Sequence, residues 1–372
     1  MAARGASGGG GIPAVVSPRL ARADDVVRRG VAAGIFPGGV LVVGRHDGPM
    51  HLRRFGQLST HATDGSVELD TLYDLASLTK VVATTSVAMV LADRGQLALD
   101  SRLSAWFPEM AGPIREKARV RDLLAHSAGL PAWRALSRET RDKRGVVQRI
   151  LQTDLEYEPG TRSVYTDLGM ILLGEIIERV AGEGLDAAAQ RLVFGPLGMT
   201  DTAFRPDAER RGRTAPTIDD PWRGRLLRGE VQDENAYRMG GVAGHAGLFG
   251  TARDLSRLAE TMLGGGEHGG ARWVNRSTVA LFTQRVDVPG STRTLGWETP
   301  AGDAWAGHLW SDRAYGHTGQ TGTSIWIDPA RDLYVVLLTN RLQPAAGDDF
   351  DTIRRDLADA VLAAMPAPRT EP

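Results

Sequence analysis

The sequence predicts a mixed α+β fold, in which an antiparallel sheet is flanked by helices and interrupted by a large inserted helical domain. Strand patterns lie near both ends of the 372-residue chain, and helical patterns fill most of the middle. Doubly wound parallel folds alternate strand and helix along the whole chain, so this order of elements argues against that class. We therefore expect strands from both chain ends to pair in one sheet.

Short apolar runs bounded by turn-forming residues predict the strands. Gly38–Arg45 and His51–Ser59 flank the turn residues Asp47, Gly48 and Pro49, and we expect them to form a hairpin. The later strands are predicted at Trp305–Trp310, Ala314–Thr318, Thr323–Ile327 and Leu333–Thr339.

Apolar residues spaced three or four positions apart predict the helices. The first runs over about Leu78–Arg94, and Gly95 follows it at the position of a C-cap. The others are predicted at Val120–Ala125, Gly145–Gln152, Leu168–Ala181, Leu185–Leu192, Ala252–Leu263 and Asp351–Ala364. Arg205–Glu230 contains seven arginines and no periodicity, so we interpret it as a long exposed excursion.

The composition excludes several classes of function. The chain has no cysteine, which excludes a disulfide framework, a thiol nucleophile and an iron–sulfur site. Its 44 basic and 45 acidic residues nearly cancel, so we expect neither nucleic acid nor a membrane as a partner. No run approaches the roughly 18 apolar residues of a membrane helix. Without an export signal in Met1–Pro18 we expect a cytoplasmic protein, although a secreted or periplasmic chain trimmed of its signal would look the same.

Two motif matches lack the structural context that their chemistry needs, and the histidines match no metal motif. Gly5–Gly9 fits the G-x-S-x-G nucleophile pattern but lies in a polar tail, without a strand before it. Gly264–Gly269 fits G-x-G-x-x-G but follows a predicted helix, whereas a dinucleotide site needs a strand there. The eight histidines show no close ligand spacing, so we expect no metal.

One constellation does have the required context. Ser77 and Lys80 are three residues apart at the start of a predicted helix, so they share a helix face and the ammonium can reach the hydroxyl. Helix N-termini favour negative charge, which suits a serine that becomes an alkoxide. A serine in this position can equally be a simple N-cap. Two further elements are Tyr165, in a loop before a helix, and Gly316–Gly322, at a strand edge. Taken alone, the tyrosine can equally be a packed surface residue and the glycine-rich segment an ordinary hairpin turn.

Taken together and in this order, Ser77–Lys80, Tyr165–Asp167 and His317–Gly319 resemble the S-x-x-K, Y-x-N and K-T-G (or H-T-G) motifs of the penicillin-recognising serine hydrolases. These include class C β-lactamases, DD-peptidases and related esterases. The resemblance covers roughly residues 24–365, and its further blocks are Thr71–Lys80, Val120–Pro131, Glu158–Leu173, Pro196–Thr202 and Gly316–Asn340. Val231–Ala252 is most similar to the subgroup of D-alanyl-D-alanine carboxypeptidases.

The resemblance implies a β-lactamase/transpeptidase-like fold. In that fold residues 1–23 are a flexible lead-in, residues 24–76 and 285–372 form the sheet domain, and residues 77–284 form the helical domain.

The resemblance also implies a role for each motif residue. Ser77 attacks the carbonyl, Lys80 and Tyr165 act as one coupled base, and the backbone amides of Ser77 and Gln320 form the oxyanion hole. Substrate binding falls to four residues: Asp167, which holds Lys80, and His317, Thr318 and Gly319. No cofactor or metal is required, and the partner is a small ester, amide or peptide substrate.

The resemblance leaves several activities open. The most favoured is a carboxylesterase-like activity; the alternatives are a D-alanyl-D-alanine carboxypeptidase or D-aminopeptidase, a weak β-lactamase, and a non-catalytic ligand-binding member of the fold. His317 replaces the lysine of β-lactamases, and an unperturbed histidine is only ~10% charged at pH 7.5, unless Asp167 raises its pKa. Asp167 in place of asparagine adds a negative charge. Both departures argue against efficient β-lactam hydrolysis, while the oligomeric state stays open.

Overall fold

The computed structural model describes residues 14–302, 306–343 and 349–366. The strands are β1 (Gly38–Arg45), β2 (Gly48–Gly56), β3 (Tyr73–Asp74), β4 (Ala203–Phe204), β5 (Asp219–Asp220), β6 (Arg225–Leu226), β7 (Leu248–Gly250), β8 (Glu267–His268), β9 (Ala271–Arg272), β10 (Tyr315–Thr318), β11 (Ser324–Asp328) and β12 (Leu333–Thr339). The α-helices are α1 (Ala21–Ala32), α2 (Ser86–Asp93), α3 (Val120–Leu124), α4 (Leu136–Glu139), α5 (Lys143–Leu151), α6 (Asp167–Ala181), α7 (Leu185–Ala189), α8 (Ala208–Gly212), α9 (Glu234–Arg238), α10 (Ala252–Leu263), α11 (Arg276–Thr283) and α12 (Phe350–Ala363).

Five strands from the two ends of the chain form one antiparallel sheet, in the order β10-β11-β12-β1-β2. β1 pairs with β12 from Gly39 opposite Thr339 to Gly44 opposite Tyr334. The other side of β1 pairs with β2 in the predicted hairpin. The predicted fold class, an antiparallel sheet interrupted by a mostly helical insertion, is therefore confirmed.

The sheet separates two hydrophobic cores, because successive side chains of a strand point to opposite faces. On one face, Leu41 and Val43 of β1 pack in a core with residues of α1 and α12. On the other face, Val40 and Val42 join the larger core that extends into the helical region. Since both faces are covered, the central strands are apolar at nearly every position instead of at alternate ones.

The helix predicted at Leu78–Arg94 is present and is the buried centre of the larger core. Its segment Lys80–Thr85 has π-helical hydrogen bonding and continues directly into α2. Every residue of Lys80–Thr85 is buried, and π-helical turns of this kind occur frequently at functional sites. Gly95 follows with a φ of 68°, the left-handed conformation expected of a C-cap glycine.

Two predictions from the sequence need correction. Arg205–Glu230 is not exposed throughout: residues 214–217 are buried, and the side chain of Arg223 is only 3% exposed because it pairs with Asp220 and Glu230. The strand predicted at Trp305–Trp310 is absent from its described part, 306–310. Backbone groups there bond to side chains instead of to a neighbouring strand, as His308 N does to Asp359 Oδ1 at 2.7 Å.

The domain boundaries drawn from the sequence stay a prediction. Residues 1–13 of the predicted lead-in lie outside the described residues, while Leu20 is fully buried and α1 already begins at Ala21. Helix α10, which belongs to the predicted helical domain, packs against the sheet through Leu255, Leu258 and neighbouring apolar residues. None of the helices in the described ranges has the length and apolarity needed to cross a bilayer.

Candidate active site

Ser77 lies in a tight turn between β3 and the central helix. The residue before it, Ala76, has a φ of 46°, a left-handed conformation that costs energy for any residue with a Cβ. Ser77 is the one partly exposed residue within the otherwise buried stretch 71–80. The strained turn thus presents a single hydroxyl at the surface of a closely packed core.

Lys80 has no solvent exposure and meets three acceptors with its ammonium group. Nζ donates to Ser77 Oγ at 2.9 Å and to the backbone oxygen of His245 at 3.2 Å. It also forms an ion pair with Asp167 Oδ1 at 2.6 Å. Burial alone would lower the pKa of Lys80, but the Asp167 carboxylate and Tyr165 outweigh burial and raise it. Lys80 is therefore charged at neutral pH.

Tyr165 lies two residues before α6, and its half-buried ring has cations close by. Lys80 Nζ and Arg293 Cζ each lie 4.9 Å from the ring centroid. The rings of His126 and His317 lie 4.8 and 5.8 Å away. Burial raises the pKa of Tyr165, and the Lys80 charge lowers it as expected but does not outweigh burial. The resting pair is thus a phenol beside an ammonium, and it must lose one proton before it can act as a base.

His317 is buried in β10, which forms one edge of the sheet. Its Nδ1 lies 2.8 Å from the backbone oxygen of Thr318, and its Nε2 has no hydrogen-bond partner among the described residues. Burial lowers the pKa of His317 to about 4; Glu298 opposes this shift, and the charges of Lys80 and Arg293 add to it. The increase in the pKa of His317 that Asp167 could have caused is therefore absent, and the ring is neutral at pH 7.

The turn after β10 packs directly onto Asp74 and Leu75, the segment that leads from β3 to Ser77. A Cβ added to Gly319 would lie 2.7 Å from the oxygen of Leu75, so only glycine allows this approach. Thr321 Oγ1 and Thr323 Oγ1 donate to the oxygens of Asp74 and Leu75, at 2.7 and 3.1 Å.

The two backbone amides predicted to form the oxyanion hole lie at this junction. Among the described residues, neither the Ser77 amide nor the Gln320 amide donates to a protein acceptor, which leaves both available to an oxyanion. The oxyanion-hole role of Ser77 and Gln320 and the substrate-binding role of the half-buried Thr318 stay predictions.

Asp74 joins three segments around the nucleophile, a function that we did not predict from the sequence. Its carboxylate accepts hydrogen bonds from the amide of Ala76 at 2.9 Å and from that of Gln232 at 2.8 Å. Its backbone oxygen accepts the bond from Thr321. Burial raises the pKa of Asp74 to about 6, although the two amide hydrogen bonds oppose the shift. The carboxylate thus fixes the strained turn before Ser77.

Buried His245 and half-buried Asp233 form a pair behind Lys80. His245 Nε2 is 2.9 Å from Asp233 Oδ1. Burial would raise the pKa of Asp233, but His245, the Ala236 amide and the Lys80 charge outweigh burial and lower the pKa to about 2. Asp167, Asp233 and His245 each place a possible ligand atom within 4.8 Å of the others. The ammonium of Lys80 is already paired with one of these carboxylates, so a metal bound there would compete with the lysine.

Arg293 and Glu298 form a second ion pair beside Tyr165, and neither residue was singled out from the sequence. The Nη1 atom of Arg293 is buried and has no hydrogen-bond partner among the described residues. His126, on the other side of the ring, accepts the Thr166 amide at its Nδ1 and has a pKa well below the usual value, chiefly through burial. Of Arg293, Glu298 and His126, only His126 lies within one of the sequence blocks that resemble the family, Val120–Pro131.

A serine hydroxyl held by a buried lysine beside a half-buried tyrosine defines a serine hydrolase that works through an acyl-enzyme. The chain belongs to the β-lactamase family, whose model matches residues 23–360. It is 36% identical to the Escherichia coli (strain K12) protein named "Putative D-alanyl-D-alanine carboxypeptidase", over 77% of this chain and 74% of that one. It is 35% identical to an N-acetylmuramyl-L-alanine amidase of Bacillus subtilis (strain 168), over 87% of this chain and 81% of the relative.

Solved structures support the fold. A penicillin-binding protein homologue from Caulobacter crescentus superposes with a TM-score of 0.76 at 21% identity, covering 95% of this chain and 99% of that one. EstCE1, a hydrolase with promiscuous acyltransferase activity, superposes with a TM-score of 0.73 at 23% identity, covering 92% and 98%. The family and its relatives identify this chain as an enzyme, which excludes the non-catalytic alternative.

We expect Ser77 to be the sole nucleophile, since among the serines in the described ranges it alone has its hydroxyl hydrogen-bonded to the Lys80 ammonium. A fluorophosphonate probe should add one label to the protein, on the peptide that contains Ser77, as measured by intact and peptide mass spectrometry. Ser77→Ala should abolish both labelling and hydrolysis. Labelling of another serine would contradict this assignment.

We expect Lys80 and Tyr165 to act as one unit, so that their losses do not add. Tyr165→Phe and Lys80→Ala should each reduce kcat by roughly 10²–10⁴-fold, the range for loss of a general base. The double variant should be little worse than the poorer single variant. Because the resting pair must lose a proton, kcat/KM of the wild type should rise with pH from 7 to 9. Additive penalties, or a flat profile, would contradict the coupled base.

We expect Asp74→Asn to lower kcat by roughly 10–100-fold with little change in KM, because asparagine offers one acceptor oxygen for two amides and the nucleophile turn shifts. The raised pKa of Asp74 means that the folded protein binds its proton more tightly than the unfolded chain. The contribution of Asp74 to stability is therefore present below about pH 4 and is lost as pH rises through about 6.

Urea unfolding at pH 4.5 and pH 7 should show this pH dependence weakened in Asp74→Asn. Asp47→Asn, an exposed substitution in the hairpin turn, is the matched control and should alter neither kcat nor the pH dependence. If both variants behave like the wild type, Asp74 does not position Ser77.

Proposed function

We propose that this serine hydrolase is a carboxylesterase that acts on uncharged acyl esters. The observation that carries the proposal is the neutral, buried His317 at the position where β-lactamases have a lysine. A substrate carboxylate gains little from a neutral imidazole, whereas an ester without a second charge needs no cation. The partly exposed Ser77 and the two unengaged amides supply what the ester carbonyl requires.

The reaction follows from the contacts around Ser77. Once the Lys80–Tyr165 pair has lost one proton to solvent, Ser77 Oγ bonds to the carbonyl carbon while its own proton passes to that pair. The carbonyl oxygen becomes an oxyanion facing the amides of Ser77 and Gln320. The C–O bond to the alcohol then breaks, and the alcohol leaves with the proton from the pair. A water molecule repeats the sequence on acyl-Ser77 and releases the carboxylic acid. Lys80 stays close to Asp167 throughout, so its charge is balanced at each stage.

An amide hydrolase acting on cell-wall peptides is the second candidate. Arg293 supports it, because this residue places a permanent cation beside Tyr165 with one buried nitrogen unpartnered among the described residues. The names of the two relatives at 36% and 35% identity also support it. Glu298 weakens this support, since it already neutralises the guanidinium.

We expect kcat/KM for p-nitrophenyl acetate to exceed that for nitrocefin by about 100-fold or more, the scale of losing one charged partner to a carboxylate. The ratio should stay constant from pH 6 to 8.5, because His317 gains its charge only as pH falls towards about 4. His317→Lys should lower the ratio in favour of nitrocefin. His317→Gln, which adds no charge, is the matched control and should leave it unchanged.

The same assay should include a peptide that ends in D-Ala-D-Ala. Release of D-alanine with a kcat/KM above that for the ester would favour the second candidate. Nitrocefin hydrolysis as fast as ester hydrolysis, unaffected by His317→Lys, would instead indicate a dedicated β-lactamase.

A further inference from the structure

The arginine-rich segment Arg205–Glu230 contributes to a groove that the mechanism does not use. Five arginine side chains line a cavity of about 530 Å³, which we call the arginine groove: Arg141, Arg205, Arg211, Arg228 and Arg238. Its volume lies in the range of cavities that hold small ligands. Glu230 is the single acidic residue in the lining, and its carboxylate is already paired with Arg223 and Arg225, at 3.1 and 2.7 Å.

The positive charge of the groove is only partly balanced. Arg205 pairs with Asp186, and Arg228 pairs with Asp64. The other three arginines have no carboxylate partner among the described residues. Arg141 has no hydrogen-bond or ion-pair partner there, and Arg211 donates only to the backbone oxygen of Pro206. Arg238 donates to the backbone oxygen of Ser137 and lies 5.8 Å from the centroid of the Trp222 ring. Three uncompensated guanidinium groups therefore share one concave surface.

The backbone is shaped to bring two of these side chains close. A Cβ on Gly229 would lie 2.8 Å from Cγ of Arg211, and a Cβ on Gly241 would lie 3.1 Å from Cγ of Arg205. Both glycines have a positive φ, near 64° and 82°, which other residues rarely adopt. The aliphatic stems of the two arginines thus lie against the main chain, and this packing restricts the directions available to their guanidinium groups.

We propose that the arginine groove binds a ligand with at least two oxyanion groups, phosphate or carboxylate, at a site separate from Ser77. Guanidinium groups bind both kinds of oxyanion through paired hydrogen bonds, and several arginines in one cavity match several anionic groups. The segment that lines the groove, residues 229–249, also contains Asp233 and His245, which lie next to Lys80. The ligand is either a separate effector or an acidic part of the substrate remote from the scissile ester, where the charge balance around Tyr165 and His317 does not apply.

Isothermal titration calorimetry with tripolyphosphate and with citrate tests the proposal on the full chain. The wild type should bind at least one of them saturably, and more weakly as sodium chloride rises from 50 to 200 mM. Arg141→Gln/Arg211→Gln, which changes two exposed side chains, should weaken binding at least tenfold. Arg22→Gln/Arg94→Gln removes the same net charge from exposed sites elsewhere and should leave binding unchanged. No saturable binding, or an equal loss in the control, overturns the proposal.

Kinetics in the same buffers separate the two sources of the ligand. If the groove binds the acidic part of a substrate, tripolyphosphate should inhibit hydrolysis of acidic substrates competitively and leave p-nitrophenyl acetate unaffected. If the ligand is an effector, tripolyphosphate should change kcat for p-nitrophenyl acetate. Either result supports the proposal, whereas binding without any kinetic effect reduces the groove to an adventitious ion site and overturns it.

Discussion

The buried ammonium of Lys80 is the constraint on which the rest of the site depends. A charge removed from water costs several kcal/mol unless it is paired and hydrogen-bonded. Its partners come from separate parts of the chain: Ser77 one turn away, Asp167 at the start of α6, and the backbone oxygen of His245, 165 residues further on. The ammonium is therefore compensated only where the helical region covers the nucleophile helix, so the packing of the insertion and the geometry of the site depend on each other.

The same charge explains why the site tolerates a neutral histidine in β10. Lys80 and Arg293 already place two cations around the ring of Tyr165, and both lower the pKa of His317. A third cation in this buried region would repel the other two. Asp167 and Glu298 each balance one cation, so the charges near the ring form two neutral pairs. The uncharged imidazole fits this balance.

The sequence predicted the parts of the molecule that depend on local spacing. Ser77 and Lys80 are three residues apart on a helix, and the apolar runs of β1 and β12 identify the sheet, so these features were predictable. The hydrogen bond that the Gln232 amide donates to Asp74 joins residues 158 positions apart. No sequence pattern marks such a contact, so it could be found only in the structure. Arg293 could not be distinguished from the many exposed arginines of this chain. The burial of Arg223 was not predicted, because a segment rich in charge and glycine is typical of an exposed loop. Such a segment can still bury an arginine whose charge is balanced by two carboxylates.

The fold itself does not select among the activities of the family, because the acyl-serine step is common to hydrolysis of esters, amides and β-lactams. Selection rests on the charges that meet the rest of the substrate. Within the described ranges, Arg293 is the cation other than the catalytic lysine that contacts the ring of Tyr165, and Glu298 is its internal counter-ion. A substrate carboxylate must compete with Glu298 for that guanidinium, and the exchange of one carboxylate for another gives little net stabilisation. A neutral acyl group faces no such competition, so the internal ion pair and the neutral His317 both favour uncharged substrates.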